Sequence, residues 1–551
     1  MGKAGDETMI LRFLLLFCLT MVGWGDECKI IPEEKPLIGC LQGILIVDNW
    51  SKVRRAPESF EGVRIEGICL LKKNRCSFLN EFLRQPLTKE SIRRIKEAIS
   101  SYYQSKDQLV VISVPQQELT ACILQIVVEE AKLGEIRTIG NCYFPSNWLK
   151  GMIRTCPGEP IVTQRILEDI AWLNLNPFRR TDAIFTPGAN PGTTDIELIT
   201  ADRWPYRVYM GADNTGTSFT NRNRLFFGFN FGKSVLKDGQ ISYQFTFAPN
   251  WNVFYAHTAS ARLPLPWRHI LVLWGGYDQI EPHLEVSGFK NKGYSWQVDG
   301  RYRIPLFFNT HIMQELIIGY DFKETNNFLE FAGTKIFNGT ADISQFMLGY
   351  ELGIRNPKQK AVFVFEVYGS PGRMTHADTS RAYQEFRYGA RSTYAYLKLA
   401  HSYACKLRYG WFTYDITGQA STTNLLPSEQ FTMTGYHAVR GFEERILNLD
   451  NAGIVNVALE TPHFSPMKSL GYCQMIDELY LLAFFDYGFG GNHKNFPGEH
   501  KFRDLASVGP GIRYQVDRYL TARLDYGFQL WHKGFDNPSN SRYNFGMILS
   551  Y

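Results

Sequence analysis

The sequence is poor in several features that mark common protein classes. Its mean hydropathy is -0.22 although 14% of its residues are aromatic, because long apolar runs are almost missing. Aromatic residues spread through polar sequence are typical of amphipathic strands and disfavour a bundle of membrane helices. The net charge is only +5, and no basic tract is interleaved with aromatic residues. We therefore expect no nucleic-acid partner.

Motifs for nucleotide binding, zinc binding and covalent catalysis are also missing. Gly509 and Gly511 form a Gly-x-Gly pair without the third glycine and the following helix of a dinucleotide site, and no Walker lysine motif occurs. The cysteines form no Cys-x-x-Cys and are not accompanied by a pair of histidines, which disfavours a zinc site. No spacing of His, Ser and Asp suggests a catalytic triad. We expect neither an enzyme nor a cofactor.

The one helical hydrophobic run lies at residues 10–23 and has the flanks of a secretory signal. Because the run is too short to span a bilayer comfortably, we predict that residues 1–25 are a cleaved signal peptide. A buried N-terminal helix is the alternative. Residues 26–60 are predicted to be an N-terminal segment or linker, with one short strand at residues 41–47.

An exported chain can form disulfides, and ten cysteines are present. Cleavage of the signal would remove Cys18 alone. The candidate pairs that are nearest in sequence are Cys28 with Cys40, Cys69 with Cys76, and Cys142 with Cys156. Spacing alone does not fix their connectivity.

Two consecutive segments combine strands and helices in the same way, which predicts two small α+β domains at residues 61–132 and 133–202. The first is predicted to contain strands at 63–67, 109–114 and 121–128 and a helix at 88–104 with one apolar face. The second is predicted to contain strands at 133–139, 179–186 and 193–200 and helices at 145–155 and 162–173.

After Asp202 the helical pattern is replaced by alternating strands. Between residues 294 and 304, Tyr294, Trp296 and Val298 alternate with polar and charged residues, and the chain ends on another alternating aromatic strand. One apolar and one polar face suit a strand between lipid and a wet lumen, although a soluble β-sandwich also alternates. Because a signal is also predicted, we expect residues 203–551 to form a membrane β-barrel of about 16 antiparallel strands.

One stretch within the barrel region does not alternate. Residues 425–450 have neither a two-residue period nor a clean apolar helical face, so we predict a long structured loop. It contains the tetrad Val439-Arg440-Gly441-Phe442. An arginine beside a glycine suggests a cation placed where backbone or an acidic side chain comes close, with a solvated loop arginine as the alternative.

In their order along the chain, these features resemble the outer-membrane transporters of two-partner secretion. This is the TpsB or haemolysin secretion/activation family (ShlB/FhaC/HecB type) of the POTRA-plus-barrel superfamily. The matching segments, in chain order, are residues 114–119, 172–179, 194–198, 426–431 and 439–442. The resemblance implies an outer-membrane barrel preceded by two periplasmic POTRA-like domains. Family members usually also carry an N-terminal helix that plugs the barrel, and residues 26–57 show no clear amphipathic helix.

The resemblance implies a function in protein transport. An unfolded exoprotein, TpsA-like, would be recognised in the periplasm by the POTRA-like domains through β-augmentation and secreted through the barrel without ATP, with activation of the exoprotein as a further family property. Outer-membrane lipid and the barrel-assembly machinery would be the other partners. The alternatives are an assembly or insertion factor of the same superfamily, and an enzyme or adhesin that uses the barrel as an anchor.

The resemblance also implies a site. The tetrad Val439, Arg440, Gly441 and Phe442 would form the tip of a loop folded into the lumen. There Arg440 would meet Asp486 of the strand motif Phe484-Phe485-Asp486. A second strand motif contains Gly509, Gly511 and Arg513, and its glycines would give the loop tip room. An arginine removed from bulk water needs such a carboxylate, because its burial alone costs several kcal/mol.

Overall fold

The computed structural model describes residues 36–55, 57–68, 77–190, 192–234, 238–282, 289–309, 311–331, 334–471, 476–537 and 539–551. The predicted signal peptide lies outside these residues. The chain divides into two compact units between Ala131 and Lys132. Among the described residues, no helix is both long enough and apolar enough to cross a membrane.

The first unit is a helix packed on a four-stranded sheet of order β2-β1-β4-β3. Its elements are β1 (Gly43–Val47), β2 (Gly62–Glu66), α1 (Lys89–Gln104), β3 (Val110–Ser113) and β4 (Ile123–Glu130), with short 3-10 helices at Trp50–Lys52 and Ser77–Phe82. Strand β1 pairs in parallel with β2 and β4, whereas β3 and β4 are antiparallel.

Helix α1 begins after Thr88, whose side chain accepts a hydrogen bond from the backbone N–H of Ser91. Its apolar face is buried at Ile95 and Ile99. All five residues of β1 are buried, as expected for a central strand with two covered faces. The sheet therefore starts N-terminal of residue 61, where the sequence predicted the first domain to begin.

The second unit opens with another α+β domain, which we call the second module. Its sheet has the order β5-β7-β6, with β5 and β7 parallel and β6 and β7 antiparallel. The elements are β5 (Lys132–Ile139), α2 (Ser146–Gly151), α3 (Thr163–Leu173), β6 (Arg179–Pro187) and β7 (Thr193–Asp202). Ile166 and Ile170 of α3 and Leu198 of β7 are buried, so the apolar face of α3 contributes to the core.

The cysteines of the described residues, Cys40, Cys122, Cys142, Cys156 and Cys405, are all free. The candidate pair of Cys142 with Cys156 is therefore wrong, and both thiols are exposed. The pairs of Cys28 with Cys40 and Cys69 with Cys76 involve residues outside the described part of the chain.

The rest of the second unit contains a closed antiparallel barrel. Its strands are β8 (Tyr206–Asp213), β9 (Arg224–Ser234), β10 (Gly239–Phe247), β11 (Phe254–Pro264), β12 (Ile270–Ile280), β13 (Phe289–Phe308), β14 (Ile312–Phe331), β15 (Thr334–Arg355), β16 (Gln359–Ser370), β17 (Tyr394–Leu407), β18 (Gly410–Ser421), β21 (Asn451–Glu460), β22 (Asp477–Gly491), β23 (Arg503–Val516), β24 (Leu520–Lys533) and β25 (Ser541–Ser550). Between β18 and β21, β19 (Phe431–Thr432) and β20 (Asn448–Leu449) form a separate small hairpin. Shorter helices are α4 (Ser380–Phe386), α5 (Pro466–Ser469) and a 3-10 helix at Ser218–Thr220.

Counted over the described ranges, the barrel has sixteen strands, and β25 closes the ring on β8. The predicted fold, a barrel of about 16 strands after two α+β domains, is confirmed. The predicted alternation on β13 separates an exposed outer face, with Val298, from a lumenal face on which Arg301 pairs with Asp321 of β14. Apolar side chains point towards lipid and charged ones towards the lumen, as a membrane-spanning strand requires.

The second module is fastened to two turns at one end of the barrel, which we call the module end. Arg179 pairs with Asp238 beside the β9–β10 turn at 2.7 Å, and both side chains are buried. Arg268 of the β11–β12 turn pairs with Asp169 of α3 at 2.8 Å. Two turns held by separate ion pairs give the module a defined position against the barrel end.

Candidate functional site

The candidate site is built on the lumenal loop, residues 425–450, which enters the lumen from the end opposite the module end. The β19–β20 hairpin shapes the loop, and the N–H of Val439 donates to the carbonyl of Met433 at 3.1 Å. The loop has its own apolar cluster against the barrel wall. Its fully buried members are Met433, Val439, Phe442, Leu449 and, from β23, Leu505. The loop is therefore packed against the barrel wall through buried apolar side chains.

Arg440 projects from the loop tip onto β22, where it meets Asp486. Its Nε and Nη2 atoms donate to Oδ2 and Oδ1 of Asp486 at 2.8 and 2.7 Å. The backbone N–H of Arg440 also donates to Oδ2, at 3.0 Å. Asp486 is fully buried, and only 11% of the Arg440 side chain is exposed. The two charges compensate each other in a site that water barely reaches, with the planar fork geometry that favours arginine over lysine.

The guanidinium of Arg440 also lies over an aromatic ring. Its Cζ is 3.5 Å from the centroid of Phe484, two residues before Asp486 on the same face of β22. Gly509 pairs with Phe484 across β23, and a Cβ at Gly509 would lie 2.9 Å from the ring and 1.8 Å from the carbonyl oxygen of Tyr526. Gly509 therefore makes room for the ring on which the arginine stacks.

The backbone of the loop tip lies directly on β24. Gly441 has a positive φ of 99°, a conformation that glycine adopts without strain. A Cβ at Gly527 of β24 would lie 2.5 Å from the nitrogen of Gly441. Gln529, also on β24, donates to the carbonyl of Gly441 at 2.6 Å. Close approach of two backbones requires glycine at Gly527, which the sequence analysis did not single out.

A second buried carboxylate, Asp525 of β24, lies among three arginines. Arg513 and Arg523 donate to its Oδ2 at 3.0 and 3.2 Å, and Nη1 of Arg440 is 3.8 Å from Oδ1. A Cβ at Gly511 would lie 2.2 Å from Oδ1 of Asp525. The second strand motif thus accommodates Asp525 and Phe484. Gly509 and Gly511 were expected to give the loop tip room. In the structure the glycine that makes room for the loop backbone is Gly527, which lies against Gly441.

The loop is held on the far wall as well. Glu429 accepts hydrogen bonds from Lys323 of β14 at 2.7 Å, Gln345 of β15 at 3.0 Å and Tyr396 of β17 at 2.7 Å. Burial raises the pKa of Glu429, but the Lys323 charge and the hydrogen bonds from Lys323 and Tyr396 outweigh it and bring the pKa to about 2. Strands β14 and β24 are eight positions apart in the ring of sixteen. The loop therefore bridges opposite walls.

Both ends of the loop are joined to the segment between β16 and β17. Arg387, just after α4, donates to Oδ2 of Asp450 at 2.9 Å and also to the carbonyl of Leu425. Asp450 in turn accepts from the N–H of Leu425 at 3.0 Å. Tyr383 of α4 is fully buried beside these ends. The Arg387–Asp450 pair closes the base of the loop.

The structure thus brings Arg440 together with Asp486 and Phe484. Arg513 joins this group indirectly, because Asp525 lies close to both Arg513 and Arg440. Val439 and Phe442 lie in the loop's own core. Sequence reasoning missed Asp525, Gly527 and Glu429. Asp525 and Gly527 had no signal beyond a lumen-facing position on an alternating strand, which many other residues share, whereas Glu429 lies in segment 426–431, which matches the family.

The sequence model of the family described as haemolysin secretion/activation protein ShlB/FhaC/HecB matches residues 192–514. The chain belongs to this family. The ShlB/FhaC/HecB family comprises two-partner secretion transporters, so the family predicted from the sequence is confirmed. The barrel accordingly lies in the outer membrane, with the POTRA-like domains in the periplasm. The module end faces the periplasm, and the lumenal loop enters from outside.

Individual relatives are similar at low identity. The heme/hemopexin transporter protein HuxB of Haemophilus influenzae (strain 86-028NP) is 19% identical over 483 residues, which cover 86% of this chain and 83% of that protein. The outer membrane transporter CdiB of Escherichia coli O6:K15:H31 (strain 536 / UPEC) is 23% identical over 386 residues, which cover 64% of this chain and 59% of CdiB.

Solved structures share the fold. CdiB from Escherichia coli superposes with a TM-score of 0.74 at 15% identity and covers 100% of this chain and 99% of that structure. CdiB from Acinetobacter baumannii gives a TM-score of 0.64 at 15% identity, with 99% and 97% coverage. This chain therefore shares the fold of these two proteins.

Proposed function

We propose that this chain recognises an unfolded partner protein in the periplasm and exports it through the barrel lumen. The observation that carries the proposal is the lumenal loop. It bridges opposite walls of the lumen, and besides its apolar cluster it is held there by discrete ion pairs, Arg440–Asp486 and Lys323–Glu429 among them. Such contacts can be exchanged for water or for a passing chain without unfolding the barrel.

Recognition is proposed to occur at the edges of the module sheets. In the second module, β5 and β6 are the outer strands; residues 158–160 bridge the outer edge of β5 at Lys132 and Leu133, whereas β6 has one edge without a partner strand among the described residues. On β6, Ile184 is 47% exposed. An extended chain can add to such an edge through backbone hydrogen bonds and place alternate side chains against exposed apolar residues. This mode suits an unfolded partner of variable sequence.

Export is proposed to proceed without ATP hydrolysis, which is supported by the lack of a nucleotide motif in the sequence. Because the partner passes unfolded, it acquires its active fold outside, and we propose this as the basis of any activation. Membrane lipid on the aromatic outer face and the barrel-assembly machinery during biogenesis are the further proposed partners. The chain itself performs no covalent chemistry in this scheme.

A second candidate is an outer-membrane assembly or insertion factor, and one observation favours it. The seam between β25 and β8 has five paired residues within the two strands, whereas β8 and β9 have eight, and backbone hydrogen bonds among the described residues extend the seam only at Val208 with Tyr551 and at Asn214 with Phe545. A short seam opens more readily than a long one, since each lost pair costs backbone hydrogen bonds. A factor of this kind would act through the seam and not through the lumen.

The test is secretion by cells that express the full chain together with a large secreted protein encoded next to it. Export predicts the partner in the medium, and two cysteines introduced to cross-link β25 to β8 should leave it unchanged. Secretion that is lost on seam closure would support the insertion factor. If no partner appears in the medium while other outer-membrane proteins are depleted, the export proposal is wrong.

A further inference from the structure

We propose that the periplasmic mouth of the lumen carries a docking site for acidic segments of the exported chain, an inference that rests on the proposed export function. The site is the basic rim, which we define as five cations at the periplasmic ends of three neighbouring strands. They are Arg355, Lys358, Lys360, Lys406 and Arg408, and all five are exposed.

The strand register brings these residues onto one arc. Arg355, the last residue of β15, lies opposite Lys360 of β16. The backbone N–H of Lys406, near the end of β17, donates to the carbonyl of Lys358 at 2.8 Å. Arg408 follows in the turn between β17 and β18. Two adjacent turns therefore present like charges side by side, which raises the local positive potential.

Strand alternation directs part of the rim towards the lumen. Glu351 on β15, which pairs with Arg303 of β13, faces the lumen, and Arg355 lies four residues further along the same face. Tyr396 on β17 contacts the lumenal loop, and Lys406, ten residues further along β17, lies on the same face of the strand. Nζ of Lys360 is 5.9 Å from the ring centroid of Trp411, on the lumenal face of β18. A chain that enters the barrel must pass these side chains.

The rim differs from the cations deeper in the lumen. Arg301 pairs with Asp321, Arg303 with Glu315 and Glu351, and Lys323 with Glu429. Within the described ranges, no member of the basic rim forms an ion pair. These deep cations each have a carboxylate partner, whereas the cations of the basic rim have none among the described residues. Such a charge pattern attracts an anionic partner and increases its rate of arrival.

The position favours a peptide over a lipid as the occupant. Lipid headgroups surround the outside of the barrel, whereas Arg355, Lys360 and Lys406 lie on the lumenal face. Individual exposed ion pairs contribute little free energy and are screened by salt. An acidic segment would therefore bind weakly and leave again, as passage through a pore requires.

The experiment measures peptide binding to the full chain in nanodiscs of neutral phosphatidylcholine. The probe is a fluorescent unstructured peptide of Glu, Gly and Ser, with a matched Lys, Gly and Ser peptide. We expect the acidic peptide alone to bind, and binding to weaken at high salt. Combined reversal by Lys358→Glu, Lys360→Glu, Lys406→Glu and Arg408→Glu should weaken it by about tenfold or more and favour the basic peptide.

The matched control reverses four exposed cations on the extracellular loops, Arg391, Lys494, Lys501 and Lys533. It changes the net charge equally and should leave acidic-peptide binding within about twofold of wild type. Equal losses in both variants would overturn the proposal, because net charge and not the rim would then be responsible. Heat-modifiable migration on gels verifies that both barrels are assembled.

Two further outcomes separate this inference from others. If rim reversal leaves peptide binding intact but reduces co-purified phosphatidylglycerol, the rim binds lipid and the proposal is wrong. If rim reversal leaves both the peptide and the secretion rate unchanged while wild type secretes its partner, the docking site is refuted and the export function stands. If wild type secretes no partner at all, the export function itself has failed.

Discussion

Arg440 and Asp486 form a two-point ion pair inside the barrel, at 2.8 and 2.7 Å, that is reinforced by the backbone N–H of Arg440 at 3.0 Å. One carboxylate thus fixes both the side chain and the backbone of the loop tip. Loss of either partner leaves a buried charge uncompensated, at a cost of about 3–5 kcal/mol. The pair is therefore a place where a single substitution can release the loop without changing the barrel wall.

Arg440→Ala and Asp486→Ala should each reduce secretion strongly, and the double variant should be no worse than either, because both changes break one interaction. Secretion is measured with the barrel verified by heat-modifiable migration. Arg445→Ala, an exposed arginine in the same loop, is the control and should secrete normally. Losses that simply add in the double variant would show that the two residues act independently.

Gly527→Ala should push the loop tip off β24, because the new Cβ would lie 2.5 Å from the nitrogen of Gly441. Overpacking of this kind costs about 1–3 kcal/mol. We expect increased reactivity of a cysteine placed at His437, read out with a thiol reagent. Gly353→Ala on the lumenal face of β15 is the control, since its nearest neighbour would be 3.9 Å away. Unchanged reactivity would mean that the loop tip does not rest on β24.

Glu429→Gln should loosen the loop from β14, because Lys323 would lose its charged partner. The pKa of Glu429 is lowered from its ordinary value of 4.5 to about 2, so its contribution to loop docking is complete above pH 4.5. The contribution is lost as pH falls through 2. Single-channel conductance in planar bilayers at pH 7 should be higher for the variant than for wild type, because Glu429 is fully charged at that pH. Equal conductance at pH 7 would contradict a role for this anchor.

Arg179→Ala or Asp238→Ala should release the second module from the module end of the barrel, since each substitution leaves one charge of a buried ion pair without its partner. Faster hydrogen exchange is expected at β6 and residues 238–240, together with reduced secretion. Arg180→Ala removes an exposed arginine from the same strand and serves as the control. If exchange in both segments matches wild type, the module is held by other contacts.

The sequence was sufficient for the barrel because its signal is local. Alternation on a strand such as β13 can be read residue by residue, and a loop without a period is conspicuous among such strands. The strand count followed from length and bilayer thickness. The strand predicted at residues 41–47 corresponds to β1 (Gly43–Val47), but its place in the first sheet was missed, since a short apolar run beside a basic segment can end a linker or begin a domain.

Contacts at the site were harder to predict, because they join residues far apart in sequence. Asp486 was named only through a family motif, whereas Asp525 and Gly527 have no motif of their own. Their importance comes from the loop backbone lying on β24, a position that no local pattern specifies. Glu429 is likewise one of four carboxylates in the loop until Lys323, Gln345 and Tyr396 are seen around it.

The Arg387–Asp450 pair has a consequence for how the inside of the barrel can be studied. Arg387 belongs to a segment at the cell surface, whereas Asp450 ends a loop that reaches the middle of the pore. A displacement that carries the whole loop out of the lumen would break this contact at its outer base. An antibody or a membrane-impermeant label directed at α4 would thus report events inside the channel from living cells, without a probe ever entering the lumen.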